Sequence, residues 1–171
     1  MTAEEIVELL GLVPLHTEGG YFRESYRSAD SLPPGALPVR YSGGRSAGSA
    51  IYYLLTPESC SKLHRLRTDE VYHFYLGDPV EMLLLPPDGT ARKILLGAGL
   101  VDGMRPQVVV PGGVWQGSRV LDGGRFALLG TTMAPGFDPA DFEVGDRESL
   151  IHAYPAFRES IEALSAERGP S

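Results

Sequence analysis

The stretch Ser61-Lys-Leu-His-Arg-Leu-Arg-Thr-Asp-Glu70, followed by a segment that ends at Gly77, and the later stretch Pro111-Gly-Gly-Val-Trp-Gln116 decide how this chain folds. Each joins a short run of alternating character to a glycine-marked or charged turn. His64 and Glu70 stand on consecutive strands in this reading, where side chains of one parity share a face, so both can look into one cavity. The two stretches therefore read as two rims of a single small β-barrel pocket.

Working outward, short strands are expected at 50–55, 61–66, 70–76, 80–85, 91–96, 107–110, 114–120 and 125–133. The turns Pro86-Pro-Asp-Gly89 and Asp122-Gly-Gly124 separate two of the pairs. Before them, Thr2 is placed to cap a short helix with Glu5 at the capping-box position, Ile6, Leu9 and Leu10 as its apolar stripe and Gly11 as its end. An aromatic strand follows at 21–26, then a Pro-, Gly- and Ser-rich loop over 28–48. Leu150, Ile151, Phe157, Ile161 and Leu164 recur at helical spacing in the tail. The expected architecture is all-β, a jelly-roll barrel with short helices at both termini, with a sandwich of another topology as the competitor. One domain over 1–171 is expected, made of a helix and strand at 1–27, a barrel core at about 49–134 and a helical tail at about 146–167.

Composition narrows the function classes. A chain of 171 residues fits one domain, and 21 Gly with 14 Pro favour a turn-rich β fold over a helix bundle. A formal net charge of −7 supplies no basic stripe, which argues against nucleic acid as a partner. Cys60 is the only cysteine, so no internal disulfide forms. The opening Met-Thr-Ala-Glu-Glu carries no signal-peptide pattern and no apolar stretch approaches membrane-spanning length, so a cytoplasmic protein without a membrane partner is expected.

Chemistry concentrates in few places. His64 shares a strand face with Leu66, as a ligand, a base or a hydrogen-bonded core histidine. Glu70 leads into the apolar run Val-Tyr-His-Phe-Tyr75 and is expected to face the pocket, while Asp69 accepts hydrogen bonds in the turn. His73 falls on the opposite face from Glu70, a core or interface position that also counts among the candidate ligand contacts. Val114, Gln116 and Ser118 share one face, with Trp115 on the other, and an inward Gln must find partners. Arg23, Glu24, Tyr26 and Arg27 form either a charged edge strand that resists aggregation or a polar wall that recognises an anionic or sugar-like ligand.

These residues resemble the cupin superfamily. His64, Leu66, Glu70 and Gly77 fall at the spacing of its first motif, and Pro111, Gly113 and Gln116 at that of its second. More closely, the chain resembles cupin 5, a single-domain family of unassigned reaction. The segments 18–27, 50–55, 64–70, 109–116 and 134–142 carry that likeness along most of the chain. The resemblance implies an RmlC-like jelly roll and, commonly, a homodimer. A metal-binding cupin has a second His where Leu66 stands and another where Gln116 stands. What remains, His64, Glu70 and an amide, is a poor set for a divalent metal, and no tightly bound cofactor is expected.

The segment Gly19-Gly-Tyr-Phe-Arg-Glu-Ser-Tyr26 also resembles that of the metal-free dTDP-keto-sugar epimerases. By that analogy His64 is a base oriented by Glu70 or Asp69, and Tyr72, Tyr52 or Tyr53 is the acid. Arg23, Tyr52, Asp69, His73, Trp115 and Gln116 are the expected ligand contacts. Three readings stay open: a metal-independent epimerase or isomerase, a metal-dependent cupin enzyme on His64, Glu70 and Gln116, and a ligand-binding or structural cupin without catalysis.

Overall fold

A computed structural model describes residues 1–165. The chain runs α1 (Ala3–Leu10), β1 (Val13–Pro14), β2 (Tyr21–Arg27), β3 (Ser31–Leu32), β4 (Arg45–Ser46), β5 (Ser49–Leu55), β6 (Ser61–Leu66) and β7 (Glu70–Gly77). It continues with β8 (Val80–Leu85), β9 (Arg92–Leu96), β10 (Gln107–Val110), β11 (Trp115–Val120), β12 (Ala127–Met133), β13 (Phe142–Val144), α2 (Arg147–Ala153) and α3 (Arg158–Ala163). Two antiparallel sheets face each other, one ordered β1-β2-β5-β12-β7-β10 and the other β13-β6-β11-β8-β9. This is a jelly roll, built from the alternating strands expected from the sequence.

The faces explain the alternation. Tyr53, Leu55, Tyr72, Met82, Leu84, Val120 and Leu129 meet between the sheets in one core. The outer face of the larger sheet is covered at one end by α1, where Ile6 packs with Leu54, Phe126 and Leu128. Thr2 and Glu5 close the reciprocal capping box and Gly11 ends the helix in the left-handed region at φ 60°. The outer face of the smaller sheet is covered by the tail: Leu150, Ile151, Ile161 and Leu164 pack on Leu63, Leu83 and Leu85. Asp146 caps α2, accepting from the Ser149 N–H at 2.9 Å, and Pro155 follows its end. The last two positions of the expected tail, Ala166 and Glu167, lie outside the described residues. No helix among the described residues is long and apolar enough to cross a membrane.

Two departures from the expected element map bear on the site. The loop over 28–48 contains a small ribbon, β3 with β4, whose Arg45 is pulled inward. The strand β13, absent from the expectation because three residues show no period, pairs with β6 so that Phe142 lies opposite Leu66.

Candidate functional site

The apolar core fills one end of the barrel and stops short of the other. There, β5, β6, β7, β12 and β13 enclose a cavity of about 280 Å³. Its walls are mostly hydrocarbon, from Leu15, Phe22, Ile51, Leu66, Met133, Phe137 and Phe142. The polar groups among its lining are Thr17, Glu18, Glu24, Ser49, Glu70 and Thr131.

Glu70 is the centre of this arrangement. It opens β7 on the inner face and is 6% exposed. Its Oε2 accepts from Gln116 Nε2 at 2.7 Å. Burial pushes its carboxyl pKa up, the nearby Glu18 carboxylate adds to this, and His64, Thr131 and Gln116 pull the other way. Tyr72, two residues along the same face, is held neutral well above the usual phenol range by burial and by the Glu70 and Glu18 carboxylates.

His64 stands beside Glu70 but is turned by its own strand. Its Nδ1 lies 2.8 Å from the Lys62 carbonyl oxygen, an acceptor only, so Nδ1 carries the proton and donates. The ring stacks on Phe142, centroids 5.1 Å apart, and is 1% exposed. His64 is thus walled off behind Phe142, while Glu70 is the member of the pair that lines the cavity. The carboxylate faces the cavity and the imidazole backs it.

A register shift in β6 supplies residues that simple alternation misassigns. Gln116 lies opposite His64 and Ser118 opposite Ser61, with a bulge between. Ser61 therefore joins the inner face and its Oγ donates to Glu18 Oε1 at 2.6 Å. Glu18 itself comes from the turn before β2. Its backbone oxygen accepts from Lys62 N–H at 2.8 Å. The next residue, Gly19, has φ 107°, accepts from Tyr53 Oη at 2.9 Å, and sits so close to Cys60 O that a Cβ there would collide with it. Glu18 and Ser61 went unnoticed in the sequence because one lies on a turn and the other depends on the bulge. Two buried acceptor-capable atoms, Gln116 Oε1 and Ser118 Oγ, have no hydrogen-bond partner among the described residues.

Five expected contacts lie elsewhere. Arg23 is on the outer face of β2, its guanidinium 5.8 Å from the Tyr52 ring centre, so both residues belong to the outer surface and not the cavity. The inner face of β2 presents Phe22 and Glu24 instead. His73 is also outside, bonded to Thr132 Oγ1 at 3.1 Å and stacked with Tyr75. Trp115 packs on the outer face of the smaller sheet, under the Arg65 guanidinium at 4.5 Å. Asp69 holds the Pro111–Gly113 turn by accepting from Gly112 N–H at 2.8 Å. Each of these follows from strand parity or turn geometry, which an analogy of composition does not respect.

A larger and shallower cleft of about 630 Å³ runs outside the barrel past Arg40, Arg65 and Arg67. Its cations are already engaged. Arg65 forms a two-pronged pair with Glu143, and Arg40 and Arg67 each donate to the other's backbone carbonyl. Among the described residues no group of three or more His, Cys, Asp or Glu is placed to hold a metal ion. His64, Glu70 and Gln116 do not fit a resident divalent cation, because one imidazole, one carboxylate and one amide fall short of the donor sets that hold zinc or iron, and the amide turns its nitrogen side to Glu70 at 2.7 Å.

Comparison with known proteins agrees with this architecture. Residues 4–145 match the family cupin 5, described as cupin superfamily (DUF985). The uncharacterized protein YML079W of Saccharomyces cerevisiae is 34% identical over 136 residues, covering 74% of this chain and 67% of that one. Protein SO0799 from Shewanella oneidensis has a solved structure that superposes with a TM-score of 0.85 at 34% identity, covering 97% of this chain and 98% of that one. A hypothetical protein from Leishmania major superposes with a TM-score of 0.87 at 35% identity, covering 98% and 100%. Oxalate decarboxylase from Bacillus subtilis, at 16% identity and a TM-score of 0.52 over 90% of this chain and 39% of that one, shares the fold alone.

Proposed function

The chain belongs to the cupin 5 family of the cupin superfamily (DUF985), and from that premise we propose that its barrel cavity carries out metal-independent proton transfer on a small molecule, an isomerase- or epimerase-type reaction with Glu70 moving the proton. The observation that carries the reading is the buried Glu70 carboxyl, lining a cavity with no Lys, Arg or His among its lining residues and with its affinity for a proton raised. A carboxylate so placed takes a proton from carbon next to a carbonyl, the electron pair moves onto the carbonyl oxygen, and the proton returns to the same or the adjacent carbon. Thr131 on the same wall steadies the Glu70 carboxyl, and the neutral Tyr72 behind Glu70 is a reserve proton donor.

The cavity also limits the substrate. Its volume of about 280 Å³ is at the bottom of the range of roughly 300–1,000 Å³ for sites that enclose drug-sized ligands. A nucleotide sugar does not fit inside it, so the part of the epimerase analogy that this proposal keeps is the reaction class and not the nucleotide.

The test is solvent exchange. Small carbonyl compounds incubated with the protein in D₂O should gain deuterium beside the carbonyl, and Glu70→Gln should abolish the gain. Exchange that persists in Glu70→Gln, or its absence across the panel, removes the proton-transfer reading and leaves a passive binder. We also propose that two chains pair through the uncovered part of the larger sheet's outer face, where Tyr75 and Val109 are 50% and 51% exposed. Light scattering that shows only monomer at micromolar concentration overturns the pairing.

A further inference from the structure

We propose that the ligand of this cavity is a small organic ammonium ion, held with its N–H groups between Glu18 and Glu70 and with its hydrocarbon body along the apolar wall. The inference rests on the cavity being the functional site, as in the preceding reading, and specifies the charge of what enters it.

The first argument is the charge inventory. The ionisable residues among the cavity lining are Glu18, Glu24 and Glu70, all acidic. Glu24 is neutralised from the rim by Arg27, whose Nη2 lies 2.6 Å from its Oε2. Among the described residues neither Glu18 nor Glu70 forms a salt bridge. The other titratable groups that face Glu70 are His64 from β6 and Tyr72 from its own strand, with Tyr53 further along the wall. His64 makes no ion pair with it, and the two phenols stay neutral. A ligand carrying negative charge would enter a low-dielectric space against two carboxylates, where repulsion is strong, whereas a cation is drawn in.

Hydrogen-bond capacity points the same way, independently of charge. Glu18 Oε1 accepts from Ser61 and Glu70 Oε2 accepts from Gln116, with the Thr131 and Tyr72 hydroxyls also turned to the Glu70 carboxyl; a carboxylate offers about four lone-pair sites, so acceptor positions remain on both. Gln116 is 1% exposed, faces into the barrel beside Glu70, and its Oε1 has no partner. The unmet capacity at the cavity wall is thus weighted to acceptors on the two carboxylates, with the Gln116 amide oxygen behind Glu70. An ammonium group is the complement: up to three donors and no acceptor. An alcohol brings one donor and would leave acceptors unmatched, and a carboxylate brings none. The remaining wall suits the rest of such a molecule. Leu15, Ile51 and Met133 are apolar, and the rings of Phe22, Phe137 and Phe142 add faces that attract cations.

The experiment uses the full chain and sets of compounds sharing one skeleton, such as cyclohexyl, benzyl and butyl, each as amine, alcohol and carboxylate. Calorimetry in mildly alkaline buffer measures affinity, and thermal shift of the unmodified protein provides a reading that needs no variant. The expected result is that an amine binds at least about tenfold tighter than its matched alcohol and that the carboxylate does not bind. Glu18→Gln and Glu70→Gln should each lower the affinity for the amine by about tenfold or more while leaving the alcohol's affinity little changed. Equal binding of alcohol or carboxylate, no binding of any amine at millimolar concentration, or amine affinity that survives both substitutions overturns the proposal. The two readings fail separately. Deuterium exchange without a preference for amines keeps proton transfer and removes the ammonium, whereas a preference for amines without exchange does the reverse.

Discussion

Asp141 and Glu70 are both buried carboxylates at the same end of the barrel, and they are handled in opposite ways. Asp141 receives two hydrogen bonds of 2.7 Å from Arg45, whose side chain is 3% exposed against 1% for Asp141 itself. The Tyr41 ring lies beneath the same guanidinium, and the Gly43 and Gly44 carbonyls accept its remaining donors. Every charge there is answered within the protein. Glu70 has an amide and a hydroxyl for partners and no salt bridge among the described residues, beside a second carboxylate and a cavity. The first arrangement fastens the loop over 28–48 to the strand edge at β13, and nothing remains for a ligand to do. The second leaves charge and hydrogen-bond capacity open at a place a small molecule can reach. Burial is common to both, so burial alone does not mark a functional site; incomplete compensation does.

The largest expected effect breaks the compensated side. Arg45→Met leaves Asp141 buried without its partner and should cost about 3–5 kcal/mol of stability in urea unfolding, whereas replacing both residues with apolar ones should recover most of that loss. A cost under about 1 kcal/mol for the single change would show that Asp141 finds compensation elsewhere. On the other side the sign reverses. Glu70→Gln keeps an acceptor for Gln116 and removes the uncompensated charge, so it should raise stability at neutral pH by about 1–3 kcal/mol while abolishing exchange. A loss of stability would mean that Glu70 is better satisfied than its surroundings indicate.

The same contrast has a pH signature. A carboxyl whose pKa is raised on folding binds its proton more tightly in the folded state, so its contribution to stability falls as pH rises. The advantage of Glu70→Gln over the parent should be absent below the ordinary value of 4.5, grow from there through the folded-state pKa, and stay constant above it. A difference that is flat with pH would remove the raised carboxyl. The smallest effect is expected at Arg23→Ala, on the outer surface, which should change stability by less than about 0.5 kcal/mol and leave ligand affinity unaltered. Loss of ligand binding there would return the anion-contact reading of β2.

Much of the frame was legible before any coordinates. The edges of β6, β8 and β10 match the expected 61–66, 80–85 and 107–110, because alternation there is bounded by turns that leave no slack. The inward placement of Glu70 and Gln116 followed from the same parity, and the structure brings the two within hydrogen-bond distance. What escaped was whatever depends on a break in parity or on a turn. The bulge opposite Gly117 reorients Ser61, β13 is too short to show a period, and Glu18 is held by a backbone hydrogen bond to the far strand that no local pattern announces. Arg23, Tyr52, His73 and Trp115 were attractive by residue type, but their parity put them outside.

If the cavity takes the proposed ammonium ion, Gly19 sets how that preference changes over evolutionary time. The turn it forms carries one of the two open carboxylates and is held by contacts to Tyr53 and Cys60 that tolerate no side chain at that position. Because the turn lies outside the strand ladder, a substitution there acts first on Glu18, and swinging that carboxylate away also removes part of what raises the Glu70 pKa. Two descendants could keep an identical barrel and differ in the charge they accept, with the divergence traceable to a single methyl group.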